Sequence, residues 1–337
     1  MILVTGGLGY IGSHTAVALI QNGYKILIAD DLSNSSLTVL DGIEKITGIR
    51  PEFIEIDLQQ TTAVKQLFKN YPRLNGILHF AASKAVGESV LNPLKYYQNN
   101  LIVLMNLLEQ IKTKMNFVFS SSCTIYGQSD QLPITENTPI KKAESPYGNT
   151  KKIAEEILED FANSNDHFTT ISLRYFNPIG AHASNLIGEN PKGIPQNLVP
   201  YITQAAIGRV PQLKVHGNDY PTADGTCIRD YIHVVDLAEA HVAALKHLEE
   251  GNQKTPFDVF NLGTGKGTSV LEVIESFIRV SGIELPYLLG PRRAGDIIAA
   301  YASIEKAKNH LNWLPKHSLD EAVRSAWNWE KENYTHP

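Results

Sequence analysis

Short apolar runs alternate with stretches of helical spacing through the first half of the chain. Strands are predicted at Ile2–Thr5, Lys25–Ala29, Glu52–Ile56, Gly76–Phe80, Asn116–Ser120 and Thr169–Arg174. Between them the spacing predicts helices, notably Ile11–Gln21, Pro93–Lys112 and Pro146–Asn163. That alternation is the pattern of parallel βαβ units. From Leu94 to Ile111 the apolar positions Tyr97, Leu101, Leu104, Leu107, Leu108 and Ile111 make a face too broad for a merely solvent-facing helix. The helix is expected to pack on the sheet, on a second subunit, or on both.

After Phe176 the texture changes. Residues 177–225 are rich in Gly, Pro and Asn, with one helical stretch near Asn197–Ile207. Such a region is better suited to holding a ligand than to building a core. A helix at Val234–Leu248, a strand at Phe257–Leu262 and helices at Ser269–Ser281 and Leu319–Glu332 follow. The expected division is a domain over 1–176, to which 234–262 returns, and a smaller α/β domain over 177–337.

Composition narrows the class. The chain has 337 residues, 43% of them apolar, and a formal charge of -5. It carries no basic stripe of the kind a nucleic-acid binder shows. No apolar run reaches the roughly 18 residues needed to cross a bilayer, so no membrane is expected. The opening Met1-Ile2-Leu3-Val4 runs at once into Thr5-Gly6-Gly7 and reads as a buried strand. Two cysteines, Cys123 and Cys227, are too few for a disulfide framework or a zinc site. A cytoplasmic location and no metal are expected.

Gly6, Gly9 and Gly12 sit in a loop, Gly6-Gly7-Leu8-Gly9-Tyr10-Ile11-Gly12, that leaves the first strand and opens a helix. Glycines there allow a tight turn, close backbone approach to a pyrophosphate and tight helix–strand packing. The next strand leads to Asp30-Asp31, placed to accept from ribose hydroxyls and to repel a 2′-phosphate, and no arginine stands nearby in sequence. The expected fold is therefore a Rossmann-type doubly wound parallel sheet with a smaller C-terminal substrate domain, and the expected cofactor is NAD. Asn34, Ser35, Asp57, Leu58, Phe80, Ala81, Ala82 and Lys84, at later strand ends, join the same ligand surface.

Tyr147 and Lys151 stand four apart on a predicted helix and so share one face. A cation beside a phenol favours phenolate and pulls its pKa down from about 10. Ser120-Ser121-Ser122 ends a strand on the same sheet edge. A hydroxyl, a phenol and a lysine around a nicotinamide suit removal of an alcohol proton while hydride leaves its carbon. Arg229 and Arg293 offer forked donors for a diphosphate.

Six motifs together resemble the extended short-chain dehydrogenase/reductases of the NAD-dependent epimerase/dehydratase family. They are Thr5–His14, Lys84–Ser89, Ser120–Ser122, Ser145–Gly148 with Lys151, Leu173–Pro178 and Arg229–Val234. Within that family the likeness is to enzymes that epimerise UDP-hexoses at C4, over nearly the whole chain. The resemblance implies that Tyr147 takes the 4-hydroxyl proton, that Ser122 hydrogen-bonds that oxygen, and that Lys151 binds the nicotinamide ribose. It further implies that Lys84, Asn99 and Phe176 hold NAD, that Asn177, Asn197, Leu198 and Asp296 bind the nucleotide sugar, and that the protein is a homodimer.

Related chemistries are separated by single positions. A 4,6-dehydratase would carry Asp-Glu after its serine or threonine, whereas Cys123-Thr124 follow Ser122 here. A non-catalytic NAD sensor would not need the intact Ser122, Tyr147 and Lys151 set. His216 stands where the family has an aromatic or apolar residue near uracil, which leaves that contact open. In Gly295-Asp296-Ile297-Ile298-Ala299-Ala300-Tyr301, Ala300 takes the position that walls the sugar pocket. Relatives confined to hexoses have tyrosine there, so alanine implies room for UDP-GlcNAc and UDP-GalNAc, unless Tyr301 swings in.

Overall fold

The computed structural model describes residues 1–293 and 296–334. Its centre is a sheet of seven parallel strands: β1 (Ile2–Thr5), β2 (Ile26–Asp30), β3 (Glu52–Glu55), β4 (Gly76–His79), β5 (Met115–Ser120), β6 (Phe168–Tyr175) and Phe257–Leu262. The chain enters at β1 and steps outward through β2 and β3. It then crosses to the other side of β1 for β4 and steps outward through β5, β6 and the last strand. The reversal between β1 and β4 opens a crevice at the carboxyl ends of the strands.

Alternate residues of each strand serve opposite cores. Ile2, Val4, Ile26, Ile28, Leu78 and Val118 face one side, with α1 (Tyr10–Gln21) and the Val234–Glu249 helix packed over them. Leu3, Leu27, Ala29, Ile77, Phe117 and Phe119 face the other, under the Pro93–Leu108 and Pro146–Asn163 helices. Both faces being covered, these strands read in sequence as unbroken apolar runs. The Pro93–Leu108 helix ends four residues before the expected Lys112, because Gln110 and Ile111 donate in tight turns to Leu107 and Leu108. β6 runs one residue past each predicted end because strands on both sides pair along it.

A third core joins the Leu198–Ala206, Val270–Ser281 and Leu319–Asn333 helices, with Phe277 and Trp327 packed edge to face. Capping boxes at Ser269/Glu272 and Ser318/Glu321 start the last two. Two short ladders carry His216, Arg229 and Ala300. Ile228–Arg229 lies between Thr268–Ser269 and Ala299–Ala300, and Leu213–His216 runs beside Tyr287–Gly290. Among the described residues no helix is long and apolar enough to cross a membrane.

The loop from Gly6 to Gly12 is the tightest point of this packing. A Cβ on Gly12 would collide with the Gly6 carbonyl oxygen, and Gly7 offers it no room to move. Gly12→Ala should therefore cost about 1–3 kcal/mol, seen as a lower thermal midpoint, and should cut the dinucleotide retained on purification. An unchanged midpoint with full retention would contradict this packing.

Candidate active site

One cleft of about 1910 Å³ runs along the carboxyl ends of the strands and on between the distal ladders. Gly6 sits at its floor with φ +66°, where a Cβ would come 2.7 Å from the Ala81 backbone nitrogen. Gly9 caps α1 without any side-chain hydrogen bond, so the first N–H groups of the helix, beside Tyr10 and Ile11, face the cleft unscreened. Asp30 ties the two flanking loops together. One of its oxygens accepts from the Leu8 amide (3.0 Å), and the other from the Leu32 amide (3.0 Å) and the Ser35 hydroxyl (2.7 Å). Asp31 accepts from the Ser33 amide and hydroxyl and stays exposed.

Asn34, Asp57, Leu58, Phe80, Ala81, Ala82, Lys84 and Asn99 line the same cleft. Asn99 donates to the Ser83 hydroxyl at 3.2 Å, and Lys84 pairs with Glu189 at 3.1 Å. Glycines whose missing Cβ leaves backbone N–H groups open, carboxylates at the ends of β2 and β3, and small residues after β4 fit a dinucleotide. The chain also brings a cation that sequence proximity did not predict. The Lys192 ammonium donates to the Leu32 and Ser33 carbonyls, at 3.4 and 2.5 Å. With Glu189 bound to both Lys84 and Asn197, residues 189–197 form a strap over this end of the cleft. Lys192 is already committed to those carbonyls, and Asp31 supplies a negative charge at the same strand end.

The Pro146–Asn163 helix starts on Ser145, whose hydroxyl accepts from the Gly148 amide at 3.1 Å. Its inner face presents Tyr147, Lys151 and Glu155 at four-residue intervals, 7%, 4% and 5% exposed. The three serines at the end of β5 meet this column one by one. Lys151 donates to the Ser120 carbonyl (2.6 Å), and the Ser121 hydroxyl donates to Glu155 (2.5 Å). Ser122, which accepts from the Thr124 amide and hydroxyl, faces the Tyr147 phenol. Tyr175, which the motifs did not single out, lines the cleft and shares a 2.8 Å hydrogen bond with the Ser120 hydroxyl.

The charge states differ from the simple picture of a cation beside a phenol. Burial pushes the Tyr147 phenol well above its ordinary value, and contact with Ser122 only partly opposes that. Burial also brings the Lys151 ammonium down to about 7, with Glu155 acting the other way. The expected lowering of Tyr147 by Lys151 is thus absent from the ligand-free site. Desolvation dominates, and Nζ lies 6.0 Å from the phenol ring centroid.

The distal end is lined by Asn177, Asn197, Leu198, His216, Arg229, Arg293, Asp296 and Ala300. Arg229 donates to the Ile228 and Ile297 carbonyls (2.9 and 2.8 Å), and Arg293 pairs with Asp296 at 3.0 Å. Asp296 also approaches Arg229 at 3.5 Å, so it tethers both arginines instead of standing free as a ribose ligand. His216 meets the Pro291 carbonyl at 3.4 Å. Ala300 pairs in register with Arg229, which puts its methyl group and the guanidinium on one small sheet. Gly295 lies outside the described residues. Tyr301 does not swing inward: its ring packs where a Cβ on Gly267 would lie 2.9 Å away.

The Phe176 side chain is buried among Ile125, Tyr126, Ile134 and Ala300, so any hold it has on a cofactor would come from its backbone, while its neighbour Tyr175 lines the cleft. Strand alternation accounts for the difference, since successive side chains near the end of β6 point to opposite sides. His233 accepts from the Val235 amide at 3.1 Å and stacks on His317 at 4.2 Å.

Known proteins resemble this chain over its full length. It is 50% identical to a UDP-glucose 4-epimerase of Bacillus subtilis (strain 168), over 98% of this chain and 97% of that one. It is 48% identical to a UDP-glucose 4-epimerase of Erwinia amylovora, over 98% of each. A crystal structure of UDP-glucose 4-epimerase from Bifidobacterium longum in complex with NAD+ and UDP superposes with a TM-score of 0.94, at 44% identity and 98% coverage of both chains. Residues 2–263 match the NAD dependent epimerase/dehydratase family. The chain belongs to that family.

Proposed function

We propose that the protein interconverts UDP-glucose and UDP-galactose by reversible oxidation at C4, with NAD in the crevice and the UDP-sugar in the distal pocket. One observation carries this reading. Tyr147 and Lys151 line the cleft that joins the glycine-loop crevice to the arginine-lined pocket, with the Ser122 hydroxyl against the Tyr147 phenol. Residues 1–176, with 234–262, would hold the cofactor, and 177–337 the substrate.

When bound, NAD would supply reversible acceptance of the C4 hydride. The chain supplies the proton chemistry and the geometry. Tyr147 takes the 4-hydroxyl proton and later gives it back, while Ser122 holds the same oxygen. A phenol raised by burial is a poor base, so the site is active only once positive charge arrives beside it. The nicotinamide ring and a protonated Lys151 provide that charge, which makes cofactor binding a precondition for proton transfer. Arg229 and Arg293 hold the diphosphate as Asp296 yields its grip, leaving the sugar free to turn about its anomeric linkage. No carboxylate stands at Cys123 or Thr124 to drive elimination of water, so the keto sugar returns as an alcohol.

Four outcomes test this. Purified protein given UDP-galactose without added NAD should form UDP-glucose, followed through the anomeric protons by NMR, and no conversion would overturn the reading. Tyr147→Phe should lower kcat by about 10²–10⁴-fold. Ala300 is small and lies on the pocket wall, so UDP-GalNAc should also be converted. Ala300→Tyr should lower the ratio of N-acetyl to hexose turnover at least about tenfold, the weight of a steric exclusion of 1.4 kcal/mol or more. A wild type that ignores N-acetyl sugars would sink that part.

A homodimer through the outer face of the Pro93–Leu108 helix belongs to the same reading. Leu94 and Met105 remain 71% and 43% exposed there, beside exposed Val90 and Leu91. Light scattering should give twice the monomer mass, and Leu94→Glu should lower it.

A further inference from the structure

Glu155 and Arg174 take no part in the proton path just described, yet they form a buried ion pair directly behind it. Both side chains are 6% exposed. The Arg174 Nε reaches both Glu155 oxygens at 3.1 Å, and its Nη2 reaches one at 2.6 Å. The remaining fork arm donates to the Tyr126 hydroxyl at 2.9 Å, which donates in turn to the Asn261 side-chain oxygen at 2.8 Å. Two ions buried in this way cost desolvation that an apolar pair would not. A fold needing only stability at this point would do as well with a methionine and a leucine.

What the pair touches gives it a use. Glu155 lies one helical turn beyond Lys151 and receives the Ser121 hydroxyl. Ser121 is the residue after Ser120, whose carbonyl takes the Lys151 ammonium. The peptide joining those serines is gripped from the β6 side as well, by the Ser121 amide donating to the Leu173 carbonyl at 2.9 Å. The direction of the Ser120 carbonyl, and with it the seat of the ammonium, is thus set by a carboxylate that is itself fixed by a bidentate guanidinium.

We propose that Glu155, held by Arg174, is a positioning residue for the reaction: it orients the Ser120 carbonyl that seats Lys151 and keeps a compensated negative charge one turn behind that ammonium. The inference rests on Tyr147 and Lys151 carrying the chemistry. Charge and geometry act in the same direction. The carboxylate favours protonated Lys151 against its desolvation, and the guanidinium paired with it partly offsets its charge. The other groups facing this ammonium are His79 at the end of β4, the Phe119 ring 4.7 Å away on β5, and Tyr147 on the same helix. His79 is held neutral by burial and accepts from, or donates to, Thr5 at 2.7 Å. The carboxylate is therefore the anion to which Lys151 responds.

The sign of the effect follows. Removing an anion near Lys151 destabilises the ammonium and so lowers its pKa, and it relieves repulsion on the Tyr147 phenolate, which lowers that pKa as well. Removing a cation does the reverse. In Glu155→Gln the whole pH profile of kcat should move to lower pH, by about half a unit or more, the shift expected of a screened charge one turn away. In Arg174→Met it should move to higher pH, and the double variant should return close to the wild-type position. At the optimum, kcat should fall about tenfold in Glu155→Gln while KM for the UDP-sugar stays within about twofold, marking a loss confined to the reacting groups. The double variant leaves no unpaired buried charge and keeps the test open if a single variant does not fold. Profiles that overlay the wild type, with only the thermal midpoint lowered, would reduce the pair to a structural role and overturn the proposal. A wild type without epimerase activity would instead overturn the functional reading beneath it.

Discussion

The close approach of two backbones where the sheet order reverses is the constraint on which the other features rest. Gly6 must pass the Ala81 nitrogen at a distance that excludes a Cβ, and Gly12 must pass the Gly6 carbonyl on the same terms. That contact brings the start of α1 to the crevice and sets β1 beside β4, with Thr5 and His79 joined across the pair at 2.7 Å. Asp30 then holds the loops on either side of the opening with amide and hydroxyl donors. A side chain at either glycine would push those strand ends apart and take the crevice with them.

Desolvation organises the catalytic column in the same way. Tyr147, Lys151 and Glu155 lie on one buried face, and each is met by a different one of three consecutive serines. Burial alone leaves the phenol hard to ionise and the ammonium easy to discharge, opposite to what base catalysis requires. Partners must therefore be supplied, some by the chain and some by what binds. The Pro146–Asn163 helix and β5 are rigid, which lets the match of serine to column hold without mobile loops.

Much of this was legible in the sequence. The apolar runs located the strands to within a residue or two, because strands buried on both faces are dominated by apolar residues. Spacing placed Tyr147 and Lys151 on one face because a helix repeats every 3.6 residues. Contacts made across the fold were not legible. Nothing local marks Lys192 as the cation that reaches the end of β2, or Glu189 as its anchoring neighbour. Asp296 looked like a free carboxylate because its two arginine partners converge on it only when separate short strands assemble. That the Tyr175 side chain and not that of Phe176 lines the cleft is a one-residue question of phase, which a motif without a strand register does not settle. The direction of the Tyr147 shift depends on how dry its surroundings are, a property of the packed interior that no spacing records.

The strap over residues 189–197 has a consequence for how the molecule meets its surroundings. Lys192 grips carbonyls 159 and 160 residues earlier in the chain, and Glu189 grips both Lys84 and Asn197. A ligand seated at this end of the cleft would have those contacts beside it, and breaking them would not require any strand of the sheet to part. Entry and departure there would then be governed by side-chain fastenings, separate from the packing that keeps the sheet closed.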